Sequence, residues 1–229
     1  MEVVRVDSAL TGEALIDALQ GVRFLGIRSK SRVPAEVIAA APSLEAIGCF
    51  CIGTNQVDLD AAADRGIAVF NSPFSNTRSV AEITIAEVIA LHRKLIDRSM
   101  ELHGGRWRKS ATGAHEVRGR TIGIVGYGHI GSQVSVLAEA FGMRVVYYDI
   151  LPRMALGNAR ACPSLEALLE QSDVVTLHVP ATPTTRHLIG PEQLNRMKQG
   201  ASLINNARGS VVDIDALAQS IRNGHIGGA

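Results

Sequence analysis

The sequence predicts an α/β fold built on doubly wound parallel sheets, and three features of it support that reading. Short apolar runs alternate with segments of helical period along the whole chain, which is how successive βαβ units are written. Apolar residues make up 46% of the 229 positions, and 23 basic side chains nearly balance 22 acidic ones. That composition supplies a core for one large domain or two modest ones and excludes a disordered tail. A turn-rich cluster, Asn71-Ser72-Pro73-Phe74-Ser75-Asn76, then separates a stretch of short elements from a long helix of different character. The expected organisation is a smaller module over residues 1–75 and a larger one over residues 76–229.

Element by element, the smaller module should open with a strand at 3–6 and a helix near 12–20, followed by a strand at 24–28. Val33-Pro34 introduces a short helix, because proline suits a first helical turn. A strand through 46–51 leads to a helix at 59–64 that Gly66 ends as a left-handed cap, and 67–70 forms another strand. In the larger module one helix is expected from 77 to about 103, with Val80, Ile83, Ile85, Val88, Ile89 and Leu91 as a broad apolar stripe. A polar loop follows from Gly104 to Gly119. Strands at 121–126, 144–149, 174–179 and 201–205 then alternate with helices at 130–141, 165–170, 192–198 and 214–222.

A net charge of +1 gives no electrostatic reason to expect nucleic acid or an anionic membrane as partner. The most apolar helical stretch, 80–96, is interrupted by Glu82, Glu87, His92, Arg93 and Lys94, too polar for a membrane span of ~20 residues. Trp107 sits in the basic loop Arg106 to Lys109 but is one aromatic in a neutral chain, so a contact between subunits is a better reading than a base-stacking platform. With the stripe of the long helix it points to a homo-oligomer, a dimer or tetramer formed through the larger module. The first residues lack a basic, then apolar, secretory pattern, and an odd set of cysteines (Cys49, Cys51, Cys162) fits a reducing cytoplasm. Cys49 and Cys51 have no histidine pair at metal spacing, so they read as core residues and no metal is expected.

The chemistry concentrates in two places. Ile122-Gly123-Ile124-Val125 runs directly into Gly126-Tyr127-Gly128-His129-Ile130-Gly131, and helical period follows at once. Gly126 permits a tight turn, Gly128 lets backbone approach a pyrophosphate, and Gly131 lets the helix pack closely on the strand, the mechanics of a Rossmann-type dinucleotide site. Backbone amides at His129 and Ile130 would face the phosphates at the positive end of that helix. The next strand, Val145-Val146-Tyr147-Tyr148, ends in Asp149, at about the 20-residue distance expected of a ribose-binding acid. A carboxylate there accepts both ribose hydroxyl protons and repels a 2′-phosphate, so NAD is expected over NADP, with Arg153 placed to soften the preference.

The second place is the carboxyl end of the later strands, where doubly wound sheets collect their ligands. His178-Val179-Pro180 follows one strand and Asn205-Asn206-Ala207-Arg208-Gly209 another. Arg208, flanked by small residues, can clamp a carboxylate at two points and polarise an adjacent carbonyl. The other reading is a surface arginine paired with Asp213 or Asp215. His178 reads as a strand-end histidine that shapes the cofactor cleft rather than as an acid–base catalyst.

Taken together, the phosphate loop with Asp149, Ser172-Asp173-Val174-Val175-Thr176-Leu177-His178-Val179-Pro180, and Leu203-Ile204-Asn205-Asn206-Ala207-Arg208-Gly209 resemble the D-isomer-specific 2-hydroxyacid dehydrogenases. The segments from Ile47 to Asp60 and from Asn71 to Glu82 are similar to the bacterial branch that oxidises 3-phospho-D-glycerate in serine synthesis. The resemblance implies a Rossmann-type NAD-binding domain and a smaller flavodoxin-like substrate domain. It implies that Arg208 holds the substrate carboxylate and 2-oxygen, and that Asn206 and Ala207 contact the cofactor. It further implies that Arg28, Ser29 and Asn76 bind the phosphorylated 2-hydroxy acid, and that amides of Gly53 and Thr54 meet its carboxylate.

The family's remaining catalytic pair, a glutamate and the histidine it makes more basic, lies beyond the last matching segment. His225-Ile226-Gly227-Gly228 mimics the catalytic-histidine motif, but it follows Arg208 too closely and Asn223-Gly224 reads as a helix-ending turn. A βα unit before Val3 and a C-terminal regulatory region are likewise expected to be missing, leaving both domains incomplete. The leading expectation is an incomplete sequence of an NAD-dependent enzyme that turns 3-phospho-D-glycerate into 3-phosphohydroxypyruvate. The alternatives are a non-catalytic NAD-binding module or pseudoenzyme, and a dehydrogenase for another D-2-hydroxy acid such as 2-hydroxyglutarate.

Overall fold

The computed structural model describes residues 2–229, which fall into two compact units, one reaching to Asn76 and the other running from Thr77 to Ala229. The smaller unit runs α1 (Gly12–Ala18), β1 (Phe24–Ile27), α2 (Ala35–Ala39), β2 (Ala46–Cys49), α3 (Leu59–Asp64) and β3 (Ala68–Asn71). Its three strands are parallel in the order β1-β2-β3, with Ile27 opposite Cys49 and Cys49 opposite Asn71. Ile27, Ile47 and Cys49 of the sheet bury against Leu15, Leu19, Val37, Ile38 and Ala62 of the helices. Asp58 starts α3 by accepting the Ala61 amide at 3.0 Å, and Gly66 ends it with φ 68°, the left-handed turn its position predicts.

The strand expected at residues 3–6 is absent. Val3, Val4 and Val6 are 67%, 80% and 54% exposed. A β-branched run becomes a strand only where a neighbour takes up its amides and carbonyls, and residues 3–6 pair with neither of the sheet's two edge strands, β1 and β3.

The larger unit begins with α4 (Thr77–Arg93) and α5 (Leu95–His103). It continues through β4 (Thr121–Val125), α6 (His129–Ala140), β5 (Arg144–Tyr148), β6 (Arg160–Ala161), α7 (Leu165–Gln171), β7 (Val174–Leu177), α8 (Pro191–Arg196), β8 (Ala201–Asn205), α9 (Ile214–Arg222) and β9 (Ile226–Gly228). All six strands are parallel, in the order β6-β5-β4-β7-β8-β9. Every residue of β4 and β7 is buried, because helices cover both faces of the sheet centre.

The single helix expected from 77 to about 103 is two helices. Lys94 adopts φ 52° and ψ 37°, so the helical ladder breaks there and α5 begins as a separate helix. The stripe of α4 is also used differently from the expectation. Ile85 and Val88 are buried in the unit's own core beside Val134 and Ala138 of α6, with Ile89 and Leu91 packed against them, while Ile83 remains half exposed. A cluster of apolar side chains without cover lies on α5, where Leu95, Ile96, Met100 and Leu102 are 53% to 70% exposed; Trp107, Ile150 and Met154 are exposed elsewhere in the unit. Strand β6 had no signal in the sequence, since its two residues are too few to display a period.

Candidate functional site

The carboxyl ends of β5, β4, β7 and β8 lie side by side, and each residue singled out in the larger unit follows one of them. From β4 the chain builds outward through β5 and β6, then returns to place β7 on the other flank of β4. The boundary between β4 and β7 is therefore the topological switch point, where doubly wound sheets hold their ligands. Gly126 leaves β4 with φ 90°, and a Cβ there would lie 2.6 Å from the His178 carbonyl oxygen and 3.0 Å from Val179 Cγ1. Gly131 is required for a different reason, since its Cβ would run into the Gly126 carbonyl oxygen and push α6 off the strand. Gly128 is the opposite case. Nothing lies within 4 Å of its would-be Cβ, so the missing side chain leaves open space over the amino end of α6, where His129 is exposed and Ile130 half-buried. Such a cradle fits a diphosphate, because the first amides of a helix have no intrahelical acceptor and share its positive end.

Asp149 closes this loop from the next strand. The Tyr127 amide donates to Oδ2 at 2.8 Å, the Leu151 amide donates to Oδ1 at 2.9 Å, and Arg153 Nε lies 3.3 Å from Oδ2. Tyr127 itself turns inward, stacked on Tyr147 at 3.9 Å between centroids, with its hydroxyl on Ser135 Oγ at 2.8 Å. The inward tyrosine anchors the glycine loop to the core, a role the spacing of the glycines did not reveal.

After β7, His178 forms a hydrogen bond from Nε2 to Thr176 Oγ1 at 3.0 Å, while its buried Nδ1 has no partner among the described residues. Burial pushes its imidazole down to about 4, so the ring is neutral at physiological pH. The carbonyl of this residue abuts Gly126, so the buried ring braces the start of the glycine loop, and its unpartnered Nδ1 is a polar atom left over in that packing. Val179 is half-buried, and Pro180 is exposed with its carbonyl accepting from Thr185 Oγ1 at 2.6 Å.

After β8, Asn205 builds the turn that presents Arg208, donating from Nδ2 to the Arg208 carbonyl at 2.9 Å and accepting the Ala207 amide at 3.1 Å. Asn206 Nδ2 donates to Glu87 Oε2 at 2.7 Å and to Thr84 Oγ1 at 3.0 Å, both on α4. Its amide nitrogen is thus occupied by the scaffold, which leaves its oxygen and backbone for a ligand. Glu87 and Thr84 were not foreseen, although a carboxylate inside an apolar stripe signals a buried partner. Arg208 is exposed, and its one side-chain hydrogen bond runs to the Ala207 carbonyl at 2.8 Å. Among the described residues it has no ion pair: Asp213 instead caps α9 by accepting the Ala216 amide at 3.0 Å. His225, at the other end of α9, donates from Nε2 to the Leu194 carbonyl at 3.0 Å.

In the smaller unit, Arg28 and Ser29 follow β1, Gly53 and Thr54 follow β2, and Asn76 lies beyond β3, so parallel strands bring the first two pairs to one edge. Arg28, Ser29 and Asn76 are exposed, while Gly53 and Thr54 are half-buried. The loop is pinned by the Phe50 amide on the Ile27 carbonyl at 2.8 Å and by Asn71 Nδ2 on the Ile52 carbonyl at 2.8 Å.

Residues 85–229 match the NAD binding domain of the D-isomer specific 2-hydroxyacid dehydrogenases. The chain belongs to this family. Its NAD-binding domain thus contains the glycine loop, Asp149, His178 and Arg208, and NAD is the coenzyme of that domain. Among its relatives, D-3-phosphoglycerate dehydrogenase of Haemophilus influenzae is 57% identical over 221 residues, covering 96% of this chain and 54% of that protein. The chain spans about half the length of the curated relatives it matches. Among solved structures, the TT0316 protein from Thermus thermophilus superposes with a TM-score of 0.88 at 37% identity, over 96% of this chain and 71% of that one. D-Lactate dehydrogenase from Aquifex aeolicus, complexed with NAD and lactic acid, superposes with a TM-score of 0.85 at 34% identity, over 93% and 65%. Among the described residues no helix is long and apolar enough to cross a membrane.

Proposed function

We propose that this chain serves the NAD-dependent oxidation of 3-phospho-D-glycerate to 3-phosphohydroxypyruvate, as a cytoplasmic homo-oligomer. The observation that bears most weight is Arg208, a guanidinium without a carboxylate partner among the described residues, at the carboxyl end of β8 on the same sheet edge as the glycine loop. The name and the identity of the relatives support the substrate. When bound, NAD supplies the acceptor for the two electrons that leave carbon 2.

Binding and orientation fall to the chain's own groups, and the hydroxyl proton that leaves as the hydride is transferred is released to solvent. Backbone amides around Gly128 and His129 hold the diphosphate, and Asp149 holds the ribose hydroxyls. Arg208 pairs with the substrate carboxylate and 2-oxygen, which favours the planar carbonyl that forms as the hydroxyl is oxidised. Arg28 balances the phosphate, Ser29 and Asn76 donate to it, and amides at Gly53 and Thr54 meet the carboxylate. His178 is not assigned the hydroxyl proton, because burial pushes its imidazole down to about 4, below the range of a base poised near neutral pH. His225 is not assigned it either, since it directly precedes β9, at the amino ends of the parallel strands, whereas Arg208 follows the carboxyl end of β8. The uncovered apolar side chains of α5 support self-association through the larger unit.

The test is NADH formation when the product of the whole reading frame that encodes this chain is given NAD and 3-phospho-D-glycerate. A preference for D-lactate or 2-hydroxyglutarate over the phosphorylated acid would overturn the substrate. NAD binding without turnover of any of the three would overturn the activity.

A further inference from the structure

We propose that Arg153 is a coenzyme-specificity residue: a cation already placed at the ribose end of the site, masked by Asp149, and able to hold a 2′-phosphate once that carboxylate is removed. The inference rests on Asp149 being the ribose-binding acid.

The geometry is local and well constrained. Arg153 Nε lies 3.3 Å from Asp149 Oδ2, and the two side chains are 40% and 9% exposed. A guanidinium carries five N–H donors in a planar fork, and Arg153 has no other side-chain partner among the described residues, so most of its donors are left for a ligand. Its backbone cannot drift, because Tyr147 Oη donates to the Arg153 carbonyl at 2.8 Å and the Leu151 amide donates to Asp149 Oδ1 at 2.9 Å. The preceding Pro152 further stiffens the turn. Beside the pair opens a cavity of about 460 Å³ lined by Asp149, Ile150, Leu151, Pro152, Arg153 and Cys162, among others, which leaves room for a group larger than a hydroxyl.

Two opposite charges therefore act on the same ribose substituent. The carboxylate repels a 2′-phosphate and accepts from a hydroxyl, while the guanidinium attracts the phosphate and gains nothing specific from the hydroxyl. Discrimination against NADP is weaker than Asp149 alone would give, and it inverts when the carboxylate is neutralised. Were Arg153 merely a brace for Asp149, removing it would weaken both coenzymes together.

The experiment measures NAD and NADP dissociation constants by calorimetry for the intact chain, D149N, R153M and D149N/R153M. Asparagine keeps one oxygen for the Tyr127 amide and gives up the Leu151 contact, while the Tyr147 hydroxyl on the Arg153 carbonyl still holds the turn. D149N should gain NADP affinity by about tenfold or more, and the double variant should lose most of that gain. R153M alone should raise the NAD-to-NADP preference by weakening NADP selectively. A gain that survives in the double variant, or equal losses for both coenzymes in R153M, overturns the inference while leaving NAD binding in place. Failure of the intact chain to bind either coenzyme overturns the coenzyme site and this inference with it.

Discussion

Arg208 and His178 follow neighbouring strands yet should respond differently to substitution. R208K keeps the charge and loses the planar fork, so kcat/KM for the phosphorylated acid should fall by about 10²-fold or more while the NAD dissociation constant stays within about twofold. Steady-state kinetics beside calorimetry checks this, and unaltered turnover removes Arg208 from the reaction. His178 has its signature in stability. Its folded imidazole titrates at about 4 against an ordinary 6.5, so between those values the unfolded chain binds more protons than the folded one. Stability is therefore fully present above pH 6.5 and falls as pH drops toward 4, by at most about 1.4 kcal/mol per unit from this group. Urea midpoints across that window should show a shallower slope in H178Q. The glycines separate fold from ligand. G126A must place a Cβ 2.6 Å from a carbonyl oxygen at φ 90° and should lose more than about 2 kcal/mol. G128A meets nothing within 4 Å, so it should keep its stability within about 1 kcal/mol and weaken NAD instead. These residues were legible because a phosphate loop constrains residue type locally. Glu87 was not, because its partner Asn206 is 119 positions away.

At the scale of elements, the strands of the sheet centre were read from their unbroken apolar runs, and the structure departs from expectation where neighbours decide. The pattern from 77 to 103 has helical period throughout, yet Lys94 takes the left-handed region, a conformation costing about 1 kcal/mol for a residue with a Cβ. The His92 carbonyl, freed from the helical ladder, accepts the His115 amide at 2.7 Å, which ties the later loop to the break. K94G should therefore stabilise the chain by about 0.5–1 kcal/mol in thermal unfolding, whereas a continuous helix would be destabilised by the same change. Residues 3–6 show the converse, a strand-like run that pairs with neither edge of the three-stranded sheet.

At the scale of the whole molecule, the exposed apolar face of α5 calls for cover. Ile96 and Met100 are one turn apart and 58% and 70% exposed, so they share a face. Sedimentation should show a concentration-dependent oligomer, and I96E/M100E should shift it to monomer without altering NAD affinity; a monomer at high concentration in the unsubstituted chain would rule this face out as an interface. The sequence by itself determined the alternation of strands and helices, the glycine loop with its acid, and the arginine after β8, since each depends on the period or backbone freedom of a few adjacent residues. Only the tertiary structure decided where α4 stops, which apolar face stays uncovered, that Arg208 lacks an ion pair among the described residues while Asp213 caps a helix, and that Asp149 and Arg153 lie together. Those outcomes depend on which distant groups arrive within a few ångströms, and nothing in local periodicity encodes that distance.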